Sequence, residues 1–184
     1  MHDNRQEELK IMTRHMNRLK KHQSDWKVQY TKCLDIIFPE LHHVVTKHSD
    51  YVYELPKYFP SPEKMVTAGF NKLIEIKRLT AKHALDILKL ASDSIGTTSF
   101  ARELELIEII ENIQHYEKLI KQAEKKIDEL MAELNSVINT VPGISNRLGS
   151  VILAKIRNIN TFNNPAQLQA FAGLAPAIYQ SGQL

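Results

Sequence analysis

Residues 106–137 read LIEIIENIQHYEKLIKQAEKKIDELMAELNSV. On a seven-residue repeat the a positions are Leu106, Ile113, Ile120, Ile127 and Leu134, and the d positions are Ile109, Tyr116, Ala123, Leu130 and Val137. Every one is apolar. Moving the frame by one residue brings charged side chains into the seam, so the pattern fixes its own register. A helix over 99–139, rising about 1.5 Å per residue, would be roughly 60 Å long, more than a small domain can cover. The repeat therefore predicts a coiled coil, whose partner is either a second copy of the chain or the long helix at the N-terminus. A run of this kind is first a mechanical element, a strut or a packed rod. Tyr116 and Ala123 at d depart from the leucines of a strict parallel dimer, which leaves the partner's direction open.

Upstream, residues 4–34 contain neither glycine nor proline. Leu9, Met12, Met16, Leu19, Trp26, Tyr30, Cys33 and Ile37 recur mostly three and four apart, which predicts one long amphipathic helix. Phe38-Pro39 ends it, because the residue before a proline is pushed out of the α region. A second helix is expected over 41–54. Leu55-Pro56 and Phe59-Pro60-Ser61-Pro62 then read as a rigid connection. Ser61 fits an N-cap, with Pro62 at the first helical position and Glu63 near the positive end of the helix dipole. Two or three short helices are expected over 63–93, and Ser94-Ile95-Gly96-Thr97-Thr98 closes the region.

With 43% apolar and 24% charged residues among 184, the chain is globular in composition, which excludes disorder and collagen. Apolar runs such as Val151-Ile152-Leu153-Ala154 fall far short of the roughly 20 residues that cross a bilayer. The polar N-terminus, with charges of both signs, does not resemble a signal or transit peptide. Cys33 is the single cysteine, so neither an internal disulfide nor a zinc site on paired thiolates is available. A cytoplasmic location follows as the expectation.

The net charge of +3 is unevenly placed. Lysines and arginines equal the acids through residue 140, whereas 141–184 hold Arg147, Lys155 and Arg157 and no acid. Nothing in that segment repels phosphate, although three cations make a weak field. It opens with Thr140-Val141-Pro142-Gly143-Ile144-Ser145, between the heptads and an apolar helical pattern over 146–156. Helix, Pro-Gly hairpin, helix is an arrangement that can hold DNA without reading bases. Glycine lets the backbone approach a phosphate, and free amides at the next helix start donate to its oxygens. Gly143, Ser145, Asn146, Arg147, Lys155 and Arg157 are the candidate nucleic-acid contacts. The alternative is a turn that only reverses the chain.

Other chemistry finds less support in the sequence. His2, His15, His22, His42, His43 and His48 lack the spacing of a ligand set and read as surface residues. The glutamates of the heptads sit among lysines and read as a solvated face. No Gly-rich phosphate loop and no Gly-x-Ser-x-Gly elbow occurs. Nor do carboxylates converge as two-metal phosphoryl transfer requires. Ser181, in Tyr179-Gln180-Ser181-Gly182, is the one serine in a suggestive loop setting.

Several stretches together resemble a known family. They are Val141-Pro142-Gly143-Ile144-Ser145, then Asn160-Thr161-Phe162-Asn163-Asn164-Pro165, then Leu168-Gln169-Ala170-Phe171-Ala172-Gly173-Leu174-Ala175-Pro176, and Gln180-Ser181-Gly182. In this order they are similar to the start of the C-terminal domain of insertion-sequence-110 family transposases, the Piv-like DEDD recombinases of bacterial mobile elements. Leu9-Lys10-Ile11-Met12-Thr13-Arg14, Asp35-Ile36-Ile37-Phe38-Pro39-Glu40-Leu41, the Phe59-Pro60-Ser61-Pro62 turn and the heptads agree with it.

The resemblance implies DNA transposition by strand exchange. It implies an N-terminal RNase H-like domain with four metal-binding acids, a C-terminal serine nucleophile matched here to Ser181, and a structured guide RNA from the element. None of the four acids can be carried over, so no cofactor is expected in this segment, a divalent metal belonging to the acid-bearing domain alone. The resemblance thus implies a truncated, inactive segment whose partners are DNA, the guide RNA and further copies joined through the coiled coil, in the bacterial cytoplasm near the nucleoid. The expected fold is all-α: a helical region over 1–97, a coiled-coil helix over 98–140, and over 141–184 an incomplete transposase domain with a helix-hairpin-helix-like start. The rival reading is a coiled-coil interaction protein with no nucleic-acid role.

Overall fold

The computed structural model describes residues 2–46, 48–134, 138, 144–156 and 163–171. The described residues are helical and contain no strand. The elements are α1 (His2–Ile37), a 3-10 turn (Pro39–His43), α2 (Asp50–Tyr58), α3 (Pro62–Leu73), α4 (Ala81–Ser92), α5 (Phe100–Leu134), α6 (Asn146–Ile156) and α7 (Pro165–Phe171). Two compact units result, one of Arg14–Lys125 and one of Met1–Thr13 with Lys126–Leu184.

In the larger unit, α1 and α5 run antiparallel. Lys20 pairs with Glu124 at 2.7 Å, the Gln23 amide donates to the Ile113 carbonyl at 3.4 Å, and Cys33 Sγ lies 3.9 Å from the Arg102 carbonyl. The α5 partner falls in number as the α1 residue rises. Tyr30, Cys33, Leu34 and Ile37 of α1 share a core with Leu106, Ile109, Ile110 and Ile113 of α5. Of the two partners the heptads allow, the stripe is thus covered here by α1. At about 1.5–3 kcal/mol for each large apolar side chain removed from water, this seam outweighs the exposed ion pairs along it.

The buried face of α5 drifts from the ideal repeat. Tyr116 and Leu130 at d are only half-buried, whereas Ile110 and Met131 at the neighbouring e position are fully buried. An α-helix of 3.6 residues per turn slips about 20° per heptad against a 3.5 repeat, so e positions share the covered face with a and d. Val137 lies outside the described residues.

The expected helix over 41–54 is not present. Pro39 starts a short 3-10 turn, and α2 begins at Asp50. Pro56, expected in a rigid connection, lies inside α2. A proline there has no N–H for the carbonyl four residues back, which is that of Val52. The Tyr30 hydroxyl donates to that carbonyl at 3.0 Å, and both residues are fully buried. A side chain of α1 thus replaces the hydrogen bond that the proline removes, and the helix continues to Tyr58.

Ser61 does occupy the N-cap position of α3, with Pro62 following, but its side chain makes no cap bond. Its hydroxyl serves Glu103 in the first turn of α5, whose carboxylate also holds Lys64 at 2.7 Å. Lys64 first, and Ser61 after it, keep Glu103 below the usual carboxylate range against the opposing effect of burial. Residues 94–98 form a strap over the end of α1. Thr97 N–H donates to the Ile36 carbonyl at 2.8 Å, and Glu40 accepts from the Ser94 hydroxyl at 2.8 Å and the Ile95 N–H at 2.9 Å. A Cβ on Gly96 would stand 1.9 Å from the Ile37 carbonyl oxygen, so only glycine lets the strap lie this close.

The smaller unit buries Leu9 of α1 with Ile127, Met131 and Leu134 of α5. Arg5 pairs with Glu133 across these helices. No helix among the described residues is long and apolar enough to cross a membrane.

Candidate nucleic-acid interface

The segment expected to reach DNA folds locally as its residues dictate. Helix α6 covers Asn146–Ile156, the span its apolar pattern predicts. Ser145 Oγ accepts from the Leu148 N–H at 3.3 Å and the Ser145 carbonyl from Gly149 N–H at 2.8 Å, so this serine caps the helix. The first turn carries no acid, and Lys155 lies in the last turn. Gly149 and Ser150 are buried, and Ser150 Oγ donates to the Arg147 carbonyl at 2.8 Å.

Helical spacing sorts the remaining positions. Arg147, Val151 and Lys155 follow one another at four-residue intervals and form a single row, with Leu148 beside it. Arg147, Leu148 and Lys155 are exposed and Val151 is half-buried, on the side away from Gly149 and Ser150. The two cations are eight residues apart, about 12 Å along the axis. Asn146 and Ser145 are exposed at the positive end of the helix dipole. Ser145, Asn146, Arg147 and Lys155 are therefore all open to solvent. Gly143, Arg157 and Ser181 lie outside the described residues, as does the Pro-Gly hairpin.

Helix α7 carries a reciprocal cap that the resemblance had noted only as Asn-Asn-Pro. Asn164 Oδ1 accepts from Gln167 N–H at 3.0 Å, and Gln167 Oε1 accepts from Asn163 N–H at 2.8 Å. Phe171 at its end is 58% exposed.

Among the described residues, no group of three His, Cys, Asp or Glu side chains is placed to hold a metal ion. The early histidines serve structure in part. His48 Nδ1 is 2.9 Å from the Tyr53 hydroxyl, and the His22 ring packs against Tyr116. Sequence reasoning missed a cleft of about 930 Å³ in the larger unit, walled by Tyr51, Tyr58, Phe59 and Ile76. The backbone at Arg78 turns there with φ 72°, unusual for a residue other than glycine, and its guanidinium pairs with Asp50. Only the folded loop reveals it, since its lining comes from separate stretches with no common motif. Three acids balance three bases on the walls, so the cleft offers a polyanion no net field.

No curated protein matches the chain. Residues 135–184, which contain α6, α7 and every candidate contact, match the family model described as Transposase IS116/IS110/IS902 family. The C-terminal segment of this chain, with its capped and acid-free helix α6, is therefore similar to IS116/IS110/IS902 family transposases.

Proposed function

We propose that the chain is a segment, not active alone, of a protein of DNA transposition and that α6 is a phosphate-contacting element of it. The observation that carries this reading is the exposed row of Arg147 and Lys155 on a serine-capped helix, in a segment with no carboxylate. Arg147 and Lys155 neutralise phosphates, while Ser145 and Asn146 offer side-chain donors at the helix start. Gly143 and Arg157 flank α6 in sequence and complete the set of candidate contacts. The contacts are to the sugar-phosphate backbone, so they position the chain without selecting a sequence. Ser181, the nucleophile by resemblance, has its role in strand exchange and none in this grip.

The test is the salt dependence of binding to a DNA duplex. Each phosphate contact adds about 0.9 to the slope of log K against log salt. Arg147→Ala and Lys155→Ala are each expected to lower the slope by about that much, and Lys89→Ala, an exposed cation of α4, to leave it unchanged. An unchanged slope in both α6 variants, or no binding by the parent chain at low salt, overturns the reading and favours an interaction protein without a nucleic-acid role. A structured RNA presents the same phosphates, so competition between RNA and duplex for the chain ranks the two ligands.

A further inference from the structure

The smaller unit also holds a groove of about 420 Å³, lined by Glu8, Ile11 and Met12 of α1 and by Lys126, Glu129, Leu130 and Glu133 of α5. Its floor is apolar, and Ile11 is 56% exposed within it. Its rim is acidic, with three carboxylates against one lysine. Lys126 holds Glu129 at 2.7 Å and Arg5 holds Glu133, but these are surface pairs that exchange partners at little cost. Glu8 is exposed.

The exposed face of α6 has the opposite character. Leu148 and Val151 form an apolar strip flanked by Arg147 and Lys155, with no acid from residue 141 onward. The row from Arg147 to Lys155 that flanks the strip runs about 12 Å, and the groove wall from Lys126 to Glu133 about 10 Å, at 1.5 Å per residue. Within one chain Arg147, Leu148 and Lys155 of this face are exposed and Val151 is half-buried, so the face does not fill the groove of its own copy. We propose that the groove of one copy receives α6 of a second copy, Leu148 and Val151 over Ile11, Met12 and Leu130, and Arg147 and Lys155 against Glu8, Glu129 and Glu133. Reciprocal exchange of α6 closes such a pair with two-fold symmetry. The inference rests on the phosphate reading of α6 for its consequence, which is that docking and DNA compete for one cationic row.

Sedimentation of the full chain over a range of concentration and at two salt concentrations tests this. The parent chain is expected to self-associate, more weakly at high salt. Glu8→Lys with Glu133→Lys, and separately Arg147→Glu with Lys155→Glu, are each expected to weaken association at least about tenfold, because like charges then face one another. Mixing the two variants is expected to restore a heteromeric species, since each supplies what the other's contact needs. All four positions are exposed, and circular dichroism checks that each variant keeps its helices. A parent chain that stays monomeric, or reversed variants that associate as it does, overturns the docking proposal. The groove variant keeps an intact α6 and is expected to bind duplex DNA at least as tightly as the parent. Loss of association with DNA binding retained therefore separates the two contacts. A DNA salt slope that the α6 variants leave unchanged counts against the phosphate reading alone.

Discussion

The hydroxyl of Tyr30 stands in for an amide that Pro56 lacks, and removing it tests how α2 survives an internal proline. Tyr30→Phe deletes the 3.0 Å bond to the Val52 carbonyl while keeping the ring in its fully buried place. A buried carbonyl left without a donor costs about 1–3 kcal/mol. In a Pro56→Ala background, residue 56 regains an N–H, which the helix points at the same carbonyl. There the loss of the hydroxyl is expected to cost about 1 kcal/mol less. Urea unfolding of the four proteins, followed by helical circular dichroism, gives the coupling energy directly. Neither single variant decides the matter, because Pro56→Ala also changes the freedom of the unfolded chain. Equal costs for Tyr30→Phe in both backgrounds, within the usual additivity error of about 0.5 kcal/mol, would refute the compensation.

Gly96→Ala is expected to destabilise by more than the 1–3 kcal/mol typical of overpacking, since its Cβ meets the Ile37 carbonyl at 1.9 Å and the strap must lift; thermal unfolding against the parent measures it. Glu40 sits below the usual carboxylate range because the Ile95 N–H and the Ser94 hydroxyl outweigh the opposing effect of burial, and Lys64 does the same for Glu103. Both groups therefore stabilise the fold above the unfolded carboxylate pKa of about 4.3, and that contribution is lost as pH falls through their lower folded values. Melting temperature against pH should show a shallower acid limb in Glu40→Gln and Glu103→Gln. Burial pushes the Cys33 thiol up to about 11, leaving about one molecule in a thousand as thiolate at pH 8. A thiol reagent should label it only on unfolding, and rapid labelling of the native chain would contradict its burial. Ser145→Ala should cost about 0.5–2 kcal/mol of α6 stability through loss of the cap, seen as faster amide exchange in the first turn.

The long helices were legible because a one-sided apolar stripe repeats for many turns in both, and α6 was legible for the same reason over 146–156. What the stripe does not encode is its cover. A heptad specifies which side chains seek burial, and a sister helix or a second copy satisfies it equally, so only the packed chain shows α1 against α5. The misplacement over 41–58 has a local cause. Proline rules weigh the missing N–H and the ring, and they cannot see that a tyrosine 26 residues earlier brings a replacement donor. Tyr30 read in the sequence as one more member of an apolar stripe, its hydroxyl carrying no signal of a distant partner. At the candidate interface, Ser145, Asn146, Arg147 and Lys155 were legible as polar positions on a short helix. Their common exposure on one side needed the burial of Gly149 and Ser150 to be known. The groove was not legible at all, since Glu8 and Glu133 meet only because the rods run in opposite directions.

That antiparallel seam also bears on how the chain is made. The oily side of α1 emerges from the ribosome on the order of a hundred residues before the strip of α5 that shields it. At synthesis rates of about 5–20 residues per second, this is an interval of roughly 5–20 seconds. During that time nascent α1 is an adhesive, sticky ribbon, and a chaperone that clasps it until α5 arrives would guard against clumping between neighbouring polypeptides on one messenger.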